Sequence, residues 1–137
     1  MRFKLTQPMF FFSRVTGKNG RVRELTTAID PNYAYCCILK MDAIDLGYGE
    51  VSARPEDYKA VRRDRTPYVT GLRGIEMSIL ITLNEVRIGN LVAKDLDTVA
   101  LKLDLPPSFR ADLILGQNFL KNFKMTIDGK GGYLTLV

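Results

Sequence analysis

Apolar and polar positions alternate with the two-residue period of a strand along most of the chain, which predicts a mostly β domain. Phe10 and Phe12 lead to Thr16-Gly17-Lys18-Asn19-Gly20, a glycine-bearing loop of hairpin length, and residues 22–29 then resume the alternation. These two segments are expected to pair. Residues 33–39 read as a short buried strand, and 40–46 as one or two helical turns stopped by Gly47. Pro55, followed by Glu56 and Asp57 and later by Arg62 and Arg63, predicts a short surface helix whose charge order suits its dipole. A glycine-tipped ribbon, Tyr68-Val69-Thr70-Gly71-Leu72-Arg73-Gly74, enters a strand in which Ile75, Met77, Ile79, Ile81 and Leu83 alternate with Glu76, Ser78 and Thr82. Val86 and Ile88 precede a Gly89-Asn90 turn, and Val99, Leu101, Leu103 and Leu105 form a further strand ended by Pro106-Pro107. The chain closes with a short helix over 115–123, a strand through Phe123, Met125 and Ile127, a turn over 128–132 and a last strand over 133–137.

A length of 137 residues suffices for one domain with its own core, expected to span 1–137. Hydrophobic residues make up 46% and charged residues 26%, the balance of a folded soluble protein. Apolar runs such as 8–12 are too short to cross a bilayer, so no membrane partner is expected. The start, Met1-Arg2-Phe3-Lys4-Leu5, alternates as a strand does and lacks the continuous apolar stretch of a secretory signal. Cys36 and Cys37 are the two cysteines. Neighbours on a strand face opposite ways, so they read as free thiols, small buried hydrophobes in a reducing, cytoplasmic setting.

The chain has no histidine, which removes Ser/His and Cys/His catalysis and histidine-bearing zinc sites. Chemistry is left to carboxylates, Lys or Tyr, and no metal or other cofactor is expected. The net charge of +5 gathers in Lys18-Asn19-Gly20-Arg21-Val22-Arg23 and Lys59-Ala60-Val61-Arg62-Arg63-Asp64-Arg65. These read as a solvated hairpin tip and a helix end. No stacking aromatics accompany them, so a nucleic-acid partner is not expected.

One acid is set apart by its neighbours, in Ala28-Ile29-Asp30-Pro31-Asn32. Taken alone, Asp-Pro-Asn is a common turn composition. Much later comes Ala111-Asp112-Leu113-Ile114-Leu115-Gly116-Gln117-Asn118-Phe119-Leu120, and the order strand, acidic turn, strand, long hairpin, strand, then Ile-Leu-Gly opening a helix resembles the retropepsin-like aspartic proteases. The resemblance spans most of the chain and is closer in its C-terminal half. It implies an all-β, acid-protease-like closed barrel with a flap hairpin and one or two short helices. It also implies an aspartic endopeptidase that acts on a peptide or protein substrate as a homodimer, because each chain carries one such turn.

By position, Asp30 would be the catalytic acid, Pro31 and Asn32 the rest of the active-site turn, and the 68–83 ribbon the flap, with Thr70, Gly71 and Gly74 touching substrate. Ile114-Leu115-Gly116 would support the turn. Where the family has Thr or Ser this chain has Pro31, with neither hydroxyl nor N–H, and where it has Gly this chain has Asn32, which tolerates a left-handed backbone better than most residues. The rival reading keeps the barrel and the dimer as a non-catalytic binding or scaffold module. Asp112 and Asp128 read as turn or solvent-facing acids.

Overall fold

A computed structural model describes residues 1–5, 10–48, 68–71, 74–77, 79–101 and 111–137. The helix predicted from Pro55, the second basic cluster and the 102–107 part of the strand ended by Pro106-Pro107 lie outside the described residues.

The predicted first hairpin forms from β2 (Phe11–Thr16) and β3 (Val22–Ile29), which pair antiparallel from Phe11↔Thr27 to Thr16↔Val22. Its loop reverses through Asn19 and Gly20, both at positive φ. β4 (Cys36–Leu39) runs into α1 (Lys40–Ala43) and a widened turn at 44–48. Gly47 ends that turn at φ 93°, a conformation that a side chain would oppose.

A separate two-stranded ribbon follows, β5 (Tyr68–Gly71) against β6 (Gly74–Met77), with Gly71 opposite Gly74. β7 (Ile79–Ile88) and β8 (Leu91–Leu101) then form a long hairpin about the Gly89-Asn90 turn. The alternation read through 75–83 is therefore divided between β6 and β7, which belong to different sheets. β8 also begins well before Val99.

After β9 (Leu113–Leu115) come α2 (Gln117–Leu120), β10 (Met125–Asp128) and β11 (Tyr133–Leu136). The last two pair in the order β1-β11-β10 with β1 (Arg2–Lys4). The remaining strands close a barrel in the order β2-β3-β9-β4-β8-β7, β7 returning to β2 through Val15↔Val86. The protein is thus an all-β closed barrel, with two short helices among the described residues.

Burial follows the strand period. Val15 and Leu25 point inward and are fully buried, whereas Phe12 is 71% exposed on the outer face and is not part of the core. Phe11 instead packs its ring on Phe3, centroids 4.7 Å apart. Phe119 is fully buried in the main core and lies against Phe123. Among the described residues, no helix is long and apolar enough to cross a membrane.

Candidate active site

β9 is the element that builds the site. It runs parallel to β3, with Ala28 opposite Ile114 and Ile29 opposite Leu115, and antiparallel to β4, with Cys37 opposite Ile114. A strand threaded between two others leaves the ends of β3 and β9 side by side. Asp30 is the first residue past β3, and its N–H donates to the Leu115 carbonyl at 3.1 Å, so the acid is fixed where the Ile-Leu-Gly segment ends.

Residues 30–33 form a β-turn closed by the Tyr33 N–H donating to the Asp30 carbonyl at 3.3 Å. Asp at the first corner and Pro at the second suit this geometry. The Asn32 N–H donates to Asp30 Oδ1 at 2.9 Å, so the carboxylate closes a second, smaller ring over the turn. Among non-glycine described residues, positive φ occurs at Asn19 and Asp95 and not at Asn32. The left-handed backbone expected to make Asn tolerable there is therefore not used: with Pro31 presetting the second corner, the third keeps a negative φ.

Behind the turn, Gly116 lies under the carbonyls of Tyr33 and Tyr35, and a Cβ placed on it would stand 2.7 Å from the Tyr33 oxygen. Only glycine fits this approach. The Gly116 N–H donates to Cys36 Sγ at 3.4 Å. The next two residues secure the turn further. Gln117 donates its backbone N–H to the Tyr33 carbonyl at 2.8 Å and its side-chain Nε2 to the Pro31 carbonyl at 2.8 Å. Asn118 accepts the Cys36 N–H on Oδ1 at 2.8 Å and donates Nδ2 to the Asp97 carbonyl at 2.5 Å, tying α2 to β4 and β8. Sequence reasoning gave Gln117 and Asn118 no role. Their local signal was a pair of carboxamides directly after the Ile-Leu-Gly run, Gln117 serving the Asp30 turn and Asn118 the strands β4 and β8.

Both cysteines are free and buried, and they face opposite sides of β4 as expected: Cys36 joins the main core, and Cys37 a smaller cluster with Val99 and Ile114. Tyr33, Tyr35 and Leu80 pack partly buried against that cluster, making an apolar surface beside Asp30. Burial pushes the Cys37 thiol up to about 12, and the Asp30 charge adds to the shift. Cys36 is pushed up to about 12 by burial as well. Neither is a thiolate at neutral pH, so neither serves as a nucleophile. Tyr33 is raised above the ordinary tyrosine value by burial and then by the charges of Cys37 and Asp30.

Asp30, Pro31 and Asn32 thus come together over Ile114, Leu115 and Gly116. Among the described residues, the hydrogen bonds of this turn run to β9 and α2. Thr70 and Gly71 lie on β5, and Gly74 opens β6, across the tip of the ribbon from Gly71. Asp112 sits in the ladder, its N–H on the Thr26 carbonyl and its carbonyl accepting from Leu39. Asp128 accepts the Gly131 N–H at 2.7 Å, a turn acid. No group of acidic, cysteine or histidine side chains suited to a metal ion occurs among the described residues.

No family model and no curated protein matches the chain. Among solved structures, it is similar to a retropepsin-like aspartic protease from Rickettsia conorii, at 20% identity over 99% of this chain and 88% of that one, with a TM-score of 0.65. It also aligns with the retroviral protease-like domain of Ddi1 from Leishmania major, at 16% identity over 93% of this chain and 87% of that one, with a TM-score of 0.49. The first likeness establishes the fold: an all-β closed barrel shared with a retropepsin-like protease.

Proposed function

We propose that the protein is a single-domain aspartic-type endopeptidase, active as a homodimer in which the Asp30 of each copy supplies half of the site. The observation that carries this reading is the seating of Asp30: its N–H is bonded to Leu115 at the end of the parallel β3–β9 pair, over a glycine that admits no side chain. Such a support holds a carboxylate rigidly at a strand end, as proton transfer requires. Asn32 is the one hydrogen-bond partner of that carboxylate among the described residues, and a second carboxylate would come from a second copy.

Two carboxylates about 3 Å apart cannot both stay ionised, and the shared proton makes one an acid and the other a base. The base takes a proton from water as the water oxygen attacks the scissile carbonyl carbon. The acid gives its proton to the carbonyl oxygen, and collapse of the tetrahedral intermediate with proton transfer to nitrogen releases the amine. The substrate lies extended beneath the 68–77 ribbon, with alternate side chains meeting the apolar surface of Tyr33, Tyr35 and Leu80. Thr70, Gly71 and Gly74 contact its backbone.

Wild type and Asp30→Asn, assayed on an unfolded protein at mildly acid pH alongside a mass measurement in solution, test this reading. Cleavage by wild type alone, with both proteins dimeric, supports it. An inert wild type that still dimerises favours the scaffold, for which one observation speaks: Pro31 offers a facing copy neither a hydroxyl nor an N–H.

A further inference from the structure

The Asp30 turn is held at its centre by a side chain from outside it. In a trans peptide the C=O and the N–H point to opposite sides of the bond. For the Pro31–Asn32 peptide, the oxygen end meets Gln117 Nε2 at 2.8 Å and the hydrogen end meets Asp30 Oδ1 at 2.9 Å. Rotating this plane by half a turn would convert the observed turn into the form whose third residue needs positive φ. Pro at the second corner accepts either form and Asn at the third tolerates both, so local sequence leaves the choice open. In the flipped form the Pro31 oxygen would leave Gln117, and the Asn32 N–H would leave the carboxylate.

We propose that Gln117 is the positioning residue of this turn: its side-chain amide selects the peptide orientation that aims the Asn32 N–H at Asp30. Its backbone N–H grips the Tyr33 carbonyl at the same time, so one residue holds the turn both at its central peptide and at its last corner. The catalytic consequence rests on the reading of Asp30 as the proton-handling group. An Oδ1 anchored by the Asn32 N–H fixes the carboxylate's rotation, leaving Oδ2 toward a facing copy. Gln117 itself touches neither the attacking water nor substrate in this scheme.

The test measures the exchange of the Asn32 amide proton with solvent by NMR in full-length wild type, Gln117→Met and Gln117→Glu. Gln117 is exposed, and both replacements keep its length without a neutral-pH donor. Asn32 exchange should rise about fivefold to tenfold in the Met variant at every pH, the loss of one modest hydrogen bond. In the Glu variant, compared with wild type at matched pH, the rise should appear at neutrality and fade below about pH 4, where the protonated acid can again donate to Pro31. A merely structural role would not produce that pH-dependent rescue. For cleavage, kcat should fall by a similar factor in both variants at neutral pH with KM nearly unchanged.

Asn32 exchange unaltered in the Met variant, or no rescue in the Glu variant, would overturn the assignment. So would altered exchange with an unchanged kcat. Exchange is read without turnover, so a wild type that cleaves nothing removes the proteolytic reading and still leaves exchange to decide whether Gln117 holds the turn.

Discussion

Gly116 lies so close beneath Tyr33 that a single methyl group added to it would stand 2.7 Å from the Tyr33 carbonyl oxygen. The obstacle is backbone, not the end of a flexible side chain, so it cannot swing aside. Gly116→Ala should therefore destabilise the protein by about 1–3 kcal/mol, the usual cost of overpacking, and displace the Asp30 turn. Denaturant unfolding checks the first effect. An unchanged midpoint would mean that the turn does not rest on Gly116.

Asp42 supplies a pH dependence. It is 8% exposed on α1, with Arg23 of β3 at 3.4 Å. Asp45 also pairs with that Arg23. Burial raises the Asp42 carboxyl from 3.8 to about 6, the Asp112 and Asp45 charges add to the rise, and Arg23 opposes it. Between those values, the folded protein keeps a proton that the unfolded chain releases. The Asp42 contribution to stability is thus fully present below about pH 4 and lost as pH rises through about 6. Melting temperatures across this range should show Asp42→Asn gaining on wild type as pH increases. A difference that is constant with pH would rule this out.

Phe119 tests the coupling between the core and the site, because it has no exposure and follows Gln117 and Asn118 by two positions and one. Phe119→Ala should cost about 3–5 kcal/mol, as large-to-small changes in a tight core do. Chemical denaturation would measure it, and a loss well under 1 kcal/mol would show that the core can collapse around the gap.

The Asp-Pro-Asn turn itself can be reversed. Pro31→Thr combined with Asn32→Gly supplies a hydroxyl and an N–H at the second corner and removes a Cβ at the third. Cleavage of an unfolded protein should increase. Equal or slower cleavage would place the limit on activity elsewhere than in these two residues.

Much of the architecture was legible because it rests on local chemistry. The turn at 16–20 and the C-terminal hairpin about 128–132 follow from glycines between strand-forming runs, and the stop at Gly47 from a glycine closing helical turns. β8 was harder, since Lys94 and Asp95 are both exposed and Asp95 adopts φ 51°, which breaks the period before Val99. Phe12 is large and apolar, yet strand parity turns it outward, where it is 71% exposed. At the site, Asp30 and the Ile-Leu-Gly run were both visible, yet the insertion of β9 between β3 and β4 is a long-range pairing that no local pattern encodes. The Gln117 carboxamide stands in plain view after that run, but its grip on Pro31 depends on the insertion and could not be assigned for the same reason.

The most direct test is the separation of the two Asp30 carboxylates in a crystal structure of the assembled protein. The proposal requires a twofold dimer with these groups about 3 Å apart, close enough to share one proton. A monomer, or a dimer that holds the two acids well beyond hydrogen-bond reach, would contradict it.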